Sequence, residues 1–126
     1  MRLFTNKWFH RWAKKEDISD SVLLNAAAEI TEGKAAVNLG GCLFKKRLPR
    51  AGFGKSGGYR VIVGYKRSNS ARIIFLYAFA KNAKANITTK EEAALSIAAE
   101  SFISATDEQV LKLLKASSIM EVNSHE

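Results

Sequence analysis

Tyr59-Arg60-Val61-Ile62-Val63-Gly64-Tyr65-Lys66-Arg67 and Ala71-Arg72-Ile73-Ile74-Phe75-Leu76-Tyr77-Ala78-Phe79-Ala80, joined by Ser68-Asn69-Ser70, decide how this chain is read. Both runs are rich in β-branched and aromatic residues, and a polar triplet separates them. That pattern predicts a buried antiparallel hairpin. The longest apolar run, Ile73 to Ala80, has eight residues, less than half of a membrane-spanning helix. If Val61, Val63 and Tyr65 face a core, alternation turns Arg60, Ile62 and Gly64 to the other face. Arg60 is then expected on an open surface beside the basic strand Lys45-Lys46-Arg47.

The elements on either side follow from local signals. Val37 to Leu48 reads as one more strand, with Gly40-Gly41-Cys42 leading into Leu43-Phe44-Lys45-Lys46-Arg47-Leu48. Arg50 to Gly58 contains four glycines and reads as a mobile loop. Met1 to Thr5 reads as a short strand, after which Asn6 caps a helix from Lys7 to Lys15. That helix is expected to dock Trp8 and Trp12 into the core. An import peptide or membrane anchor is the competing reading, but the segment is short, Glu16 and Asp17 follow at once, and no cleavage pattern is present. Ser19 caps a second helix running to Glu32, with Leu23, Ala26, Ala27 and Ile30 at helical spacing and Gly33 as its stop. Thr88 with Glu91, and Thr106 with Gln109, are capping-box pairs that open two final helices. Ile119 to Val122 is read as an edge strand. The order predicts an α+β fold over a single domain, residues 1–126. Its parts are a small twisted antiparallel sheet, an N-terminal helical hairpin and C-terminal helices.

The net charge of +8 is unevenly distributed. Residues 1–32 carry five cations and five anions. Residues 33–90 carry thirteen Lys or Arg and no Asp or Glu, and residues 91–126 carry seven acids against two lysines. Such an uncompensated stretch attracts polyanions, of which nucleic acid is the commonest. The competing reading is a solubility charge balanced in space by the acidic C-terminal segment. A metal-dependent nuclease needs carboxylates to hold its ion against the phosphate, and the basic stretch has none. The reading therefore calls for no metal and no cofactor. His10 and His125 are too far apart in sequence to suggest a two-histidine ribonuclease. The lone Cys42 rules out an intramolecular disulfide and fits a reducing cytoplasmic setting.

The sharpest candidate site is Lys55-Ser56-Gly57-Gly58-Tyr59-Arg60. It is not a nucleotide-binding P-loop: the motif needs glycine where Pro49 stands, and a helix where a strand follows. Its glycines allow close approach to a phosphate, and Lys55 and Arg60 supply charge. Lys45, Lys46, Arg47, Arg50, Lys81 and Lys84 are candidates to converge on the same face. Tyr59 and Tyr77 are candidates to stack on unpaired bases. Cations alone can promote RNA cleavage, in which a 2′-hydroxyl attacks the adjacent phosphorus and charge builds on the nonbridging oxygens. Holding RNA or a protein without cleaving it is the other reading of the same residues.

With these residues in place, the chain resembles the RelE/ParE superfamily of type II toxin–antitoxin toxins, and within it a RelE-like subgroup. The matching stretches are Lys7-Trp8-Phe9, Arg11-Trp12-Ala13, Ile18-Ser19-Asp20, Leu39-Gly40-Gly41, Lys45-Lys46-Arg47, Gly54-Lys55-Ser56-Gly57-Gly58-Tyr59-Arg60, Phe79-Ala80-Lys81-Asn82 and Asn86-Ile87. The resemblance implies a cytoplasmic toxin that cuts mRNA, usually on the ribosome, and a cognate antitoxin, often of helix-turn-helix type. It implies that Arg60, following Gly58-Tyr59, acts at the scissile phosphate, and family lysines correspond loosely to Lys55 and Lys46. With the residue reading, Lys55 and Lys81 are the candidate catalytic partners. Lys45, Lys46, Arg47, Arg50, Tyr59 and Lys84 are then RNA contacts. This chain lacks the arginine and tyrosine that several relatives place after the last sheet strand, and reads Lys81-Asn82-Ala83-Lys84 there. ParE-like relatives poison DNA gyrase instead, so gyrase inhibition stands beside mRNA cleavage and plain binding as an alternative.

Overall fold

A computed structural model describes residues 1–50, 57–69 and 71–123. Six strands and four helices are present among them: β1 (Arg2–Asn6), α1 (Lys7–Lys15), α2 (Asp20–Thr31), β2 (Ala36–Gly40), β3 (Leu43–Leu48), β4 (Tyr59–Gly64), β5 (Arg72–Ala80), α3 (Thr89–Ser104), α4 (Asp107–Lys115) and β6 (Ile119–Val122). The strands form one sheet in the order β2-β3-β4-β5-β1-β6. Every pairing is antiparallel except β1 with β5, which run parallel. The α+β fold class and the predicted β4–β5 hairpin are both present, and Ile119–Val122 does form the edge strand.

One expectation about the sheet is corrected. Val37 to Leu48 is two strands, not one, because Gly40 and Gly41 both adopt positive φ, +96° and +59°, and turn the chain back on itself. Gly40 also donates its N–H to the Asn38 side chain, which fixes the turn.

Helices cover both faces of the sheet. On one face, Phe9 and Ala13 of α1 and Leu23, Ala26, Ala27 and Ile30 of α2 pack on Val61, Val63, Ile73 and Phe75. On the other, Ala99, Phe102 and Ile103 of α3 and Val110 of α4 pack on Ile62, Ile74 and Leu76. The β4 face bearing Ile62 and Gly64 is therefore covered, not open as alternation alone suggested. Gly64 is where α3 comes nearest, since a Cβ there would lie 3.0 Å from the Ala99 Cβ. A register shift beside Ile62 sends both Leu76 and Tyr77 to the α3 side. The helix caps behave as expected: Asn6, Ser19, Thr88 and Thr106 each accept from a backbone N–H in the first turn.

Of the two tryptophans, Trp12 packs at the edge of the core against Phe9 and Tyr59. Trp8 does not enter it and is 45% exposed. Phe9 and Ala13, four residues apart, take the core stripe of α1, and Trp8 falls to its side.

Both ends of α3 are held by charge. Arg72 is buried and donates to the carbonyls of Phe102 (2.9 Å) and Ala105 (2.7 Å) at the end of α3, and to Asp107 Oδ1 (3.0 Å). It supplies donors where the helix has run out of its own. At the start of α3, Glu91 closes the capping box with Thr88 and takes the Lys84 ammonium at 2.6 and 2.7 Å. The Lys84 hydrogen bond, followed by the Thr88 N–H, lowers the Glu91 carboxyl from 4.5 to about 2.

Two outcomes follow. Arg72→Met strands two carbonyls and should cost about 2–3 kcal/mol in urea unfolding. Asp107→Asn, on an exposed partner, should cost less than about 1 kcal/mol. Equal effects would show that the ion pair, not the carbonyl bonds, is what Arg72 contributes. A depressed carboxylate stabilises above its unfolded value and loses that contribution as the pH falls through its folded one, here from about 4.5 down to about 2. A carboxyl NMR titration should therefore place Glu91 near 2, and Lys84→Met should return it toward its ordinary value. A midpoint unmoved by Lys84→Met would remove that ion pair as the cause.

Candidate nucleic-acid interface

The register of three strands builds the site. Across β3 and β4, Lys45 lies opposite Ile62 and Arg47 opposite Arg60, while across β4 and β5, Arg60 lies opposite Phe79. Partners in a ladder project to the same face, so Lys45, Arg47 and Arg60 share the α3 side of the sheet, at the end beyond Ile62 and Gly64. Lys81 follows β5 directly, and its N–H bonds to the Gly58 carbonyl at 3.0 Å, which sets it beside the start of β4. These four cations, with Lys46, Ala35 and Val37, line a cleft of about 470 Å³.

Arg60 lines that cleft and is only 8% exposed. Among the described residues its guanidinium has one acceptor, the Tyr59 carbonyl at 3.3 Å, and no carboxylate. Burial, and then the neighbouring Arg47, lowers its pKa from the usual guanidinium value. Like charges set directly across a ladder oppose folding. A phosphate between Arg47 and Arg60 reverses that sign, because both forks find oxygens at once. Lys45 reaches the Asn86 side chain at 3.4 Å and Lys81 the Ala85 carbonyl at 2.7 Å. Neither has a carboxylate partner among the described residues.

The remaining candidates separate from this group. Lys46 is 4% exposed, because its position in β3 faces α2, and its ammonium lies 3.6 Å from Glu29 and 3.5 Å from the Ala35 carbonyl. It forms a wall of the cleft and is not an open contact. Tyr59 is not available to a base: it is 4% exposed, packed against Trp12, and donates its hydroxyl to Glu16 at 2.7 Å. Burial, then the Glu16 hydrogen bond, raises its pKa. Arg50 sets its guanidinium 5.2 Å over the Tyr59 ring, on the α1 side of the sheet. Lys84 is neutralised by Glu91 and also contacts the Tyr77 hydroxyl at 3.4 Å. Lys55, most of the glycine-rich loop and His125 lie outside the described residues. Gly58 has a purely internal requirement, since a Cβ there would come within 2.5 Å of the Leu48 carbonyl.

Sequence reasoning grouped the cations by adjacency, whereas strand alternation divides them. Lys45 and Arg47 go with Arg60, and Lys46 goes to α2. The same alternation, applied to Tyr59 and Val61, would have placed Tyr59 in the core. Among the described residues no group of His, Cys, Asp and Glu is placed to hold a metal ion, and no helix is long and apolar enough to cross a membrane.

Among curated proteins none matches the chain. The family model for the RelE toxin of the RelE/RelB toxin–antitoxin system matches residues 1–122, which takes in all six strands, all four helices and each cation of the cleft. The chain belongs to the RelE toxin family.

Proposed function

We propose that this toxin is a metal-independent mRNA endoribonuclease that acts on the translating ribosome and so inhibits translation. The observation that carries the reading is the buried Arg60, set against Arg47 and flanked by Lys45 and Lys81, with no carboxylate partner among the described residues for any of the four. Elsewhere in the molecule Arg2, Lys34, Arg72, Lys84 and Lys112 have carboxylate partners, as does Lys46 in the wall of the cleft. Lys45, Arg47, Arg60 and Lys81 share one cleft, where a phosphate would sit.

In the proposed reaction a 2′-hydroxyl attacks its own 3′-phosphorus and the 5′-oxygen of the next nucleotide leaves. The 2′-hydroxyl proton departs, the leaving oxygen gains one, and a 2′,3′-cyclic phosphate and a 5′-hydroxyl result. Arg60 stabilises the charge that grows on the nonbridging oxygens. Lys81, and Lys55 by its place in the sequence, are its partners at the phosphate, and Lys45 and Arg47 hold flanking phosphates. Among the described residues no histidine, tyrosine or carboxylate lines the cleft as a conventional base. We therefore assign cleavage to message on the ribosome, where further groups complete the site. The antitoxin, which we take to be of helix-turn-helix type, would inhibit by covering the cleft with acidic side chains.

Induced expression should arrest growth and create new mRNA ends within translated frames. Arg60→Ala should lower cleavage by about 10²–10³-fold, the cost of losing one donor to a developing oxyanion. Arg60→Lys should rescue poorly, because it lacks the planar fork. Since Arg60→Ala also relieves the repulsion from Arg47, its urea midpoint should match or exceed that of wild type. Arrest with altered DNA topology and intact mRNA would move the assignment to gyrase.

Binding of a single-stranded RNA should weaken steeply with salt, by about 0.7 in log K per log salt for each phosphate neutralised. Arg47→Ala should reduce that slope by about one such step. An unchanged slope would remove Arg47 from the phosphate contacts.

A further inference from the structure

Trp8 is the only aromatic among the exposed large hydrophobic side chains of the described residues. It sits in the first turn of α1, directly after β1 ends, and its ring lies 4.8 Å from that of Tyr77, tilted by 34°. Tyr77 is half-buried on the α3 side of the sheet and lies 6.2 Å from Phe79, which is opposite Arg60. Tyr77 and Arg60 are therefore diagonal cross-strand neighbours, about 7 Å apart, within reach of one ligand. An aromatic path leads from an exposed indole to Arg60 in the cleft.

The surroundings of that path are cationic. The Lys84 ammonium, which is paired with Glu91, lies 5.4 Å over the Tyr77 ring, and among the described residues the unpaired charge comes from α1. Lys7 precedes Trp8, Arg11 follows it three positions on, and both are exposed. Helix α1 contains Lys7, Arg11, Lys14 and Lys15 and no acid. This differs from the apolar groove between α3 and α4, where Phe102, Leu113 and Ile119 line the walls and Lys112 is the single cation. A flat, half-open aromatic pair among cations suits a planar base joined to phosphates. An apolar protein side chain is better served by the groove.

We propose that Trp8, backed by Tyr77, is a stacking platform for a base of the single-stranded RNA whose backbone enters the Arg60 cleft. The inference rests on the ribonuclease reading for the identity of the polyanion. It adds a contact that carries affinity without taking part in bond cleavage.

The test uses the full chain, freed of its antitoxin, and three probes: a 2′-O-methylated oligouridylate, which lacks the attacking hydroxyl, its abasic counterpart, and inorganic polyphosphate. Wild type should bind the oligouridylate about tenfold or more tightly than the abasic strand, the effect of one stacked base. Trp8→Ala should erase that preference and leave polyphosphate binding unchanged, and Trp8→Phe should keep most of it. The phenylalanine variant guards against misreading a folding defect as a lost contact. A base preference that survives Trp8→Ala overturns the proposal. So does an equal loss for polyphosphate, and so does a weaker antitoxin complex with the base preference intact, which would make this a protein-docking surface. Failure of the ribonuclease reading is seen separately, as cellular mRNA that stays intact while the oligouridylate preference stands.

Discussion

Strand β4 is covered on both faces, and the rest of the molecule follows from that constraint. Val61 and Val63 need a layer on one side, and Ile62 needs one on the other. A strand with apolar residues at successive positions cannot be satisfied by a sheet with one wet face. Helices α1 and α2 supply one layer, and α3 and α4 the other. The cover is incomplete at the start of β4, and Arg60 stands there, between the end of the α3 layer and solvent. Among the described residues, the cleft proposed to bind RNA is lined by strand residues and their neighbours, with no residue of α3 or α4.

That arrangement holds a tension between folding and binding. Arg47 and Arg60 face one another across the ladder with no acid between them among the described residues, an arrangement that weakens the sheet it belongs to. Other cations of the same molecule are treated differently. Arg72 is fully engaged at the end of α3, Lys46 leans toward Glu29, and Lys84 is held by Glu91. Paired cations hold elements together, whereas Lys45, Arg47, Arg60 and Lys81, with no carboxylate partner among the described residues, share one cleft. The surrounding core is what tolerates the strain, since a few unfavourable contacts are small beside the apolar area buried on both faces.

Much of the fold was legible because it is encoded locally. Caps at Asn6, Ser19, Thr88 and Thr106 depend on residues three positions apart, and the β4–β5 hairpin on a short polar break. The parallel β1–β5 pairing was not legible, since nothing within Arg2–Asn6 identifies a partner about seventy residues away. The two-sided cover was signalled by the unbroken run from Val61 to Val63, which alternation alone misrepresents. At the proposed site, the strand position of Arg60 beside Arg47 was legible, but the open surface expected for it was not found, since Arg60 is buried. Tyr59 and Lys46 were misplaced because composition was weighed ahead of the strand's own period, which sends each to the opposite side from Arg60. Trp8 was assigned to the core as one of three aromatics in a short helix, and a single stripe at Phe9 and Ala13 left it no room there.

The parallel pairing of β1 has a consequence for timing. β1 is made before every other strand, yet its two neighbours in the sheet are β5 and β6, the last two to emerge. Until β5 has been made it has no ladder to join, and a chain without β6 leaves its outer edge bare. Completion of the sheet is thus deferred until β6 has been made. For a toxin whose proposed target is the machinery that makes it, that order separates the building of each copy from its action.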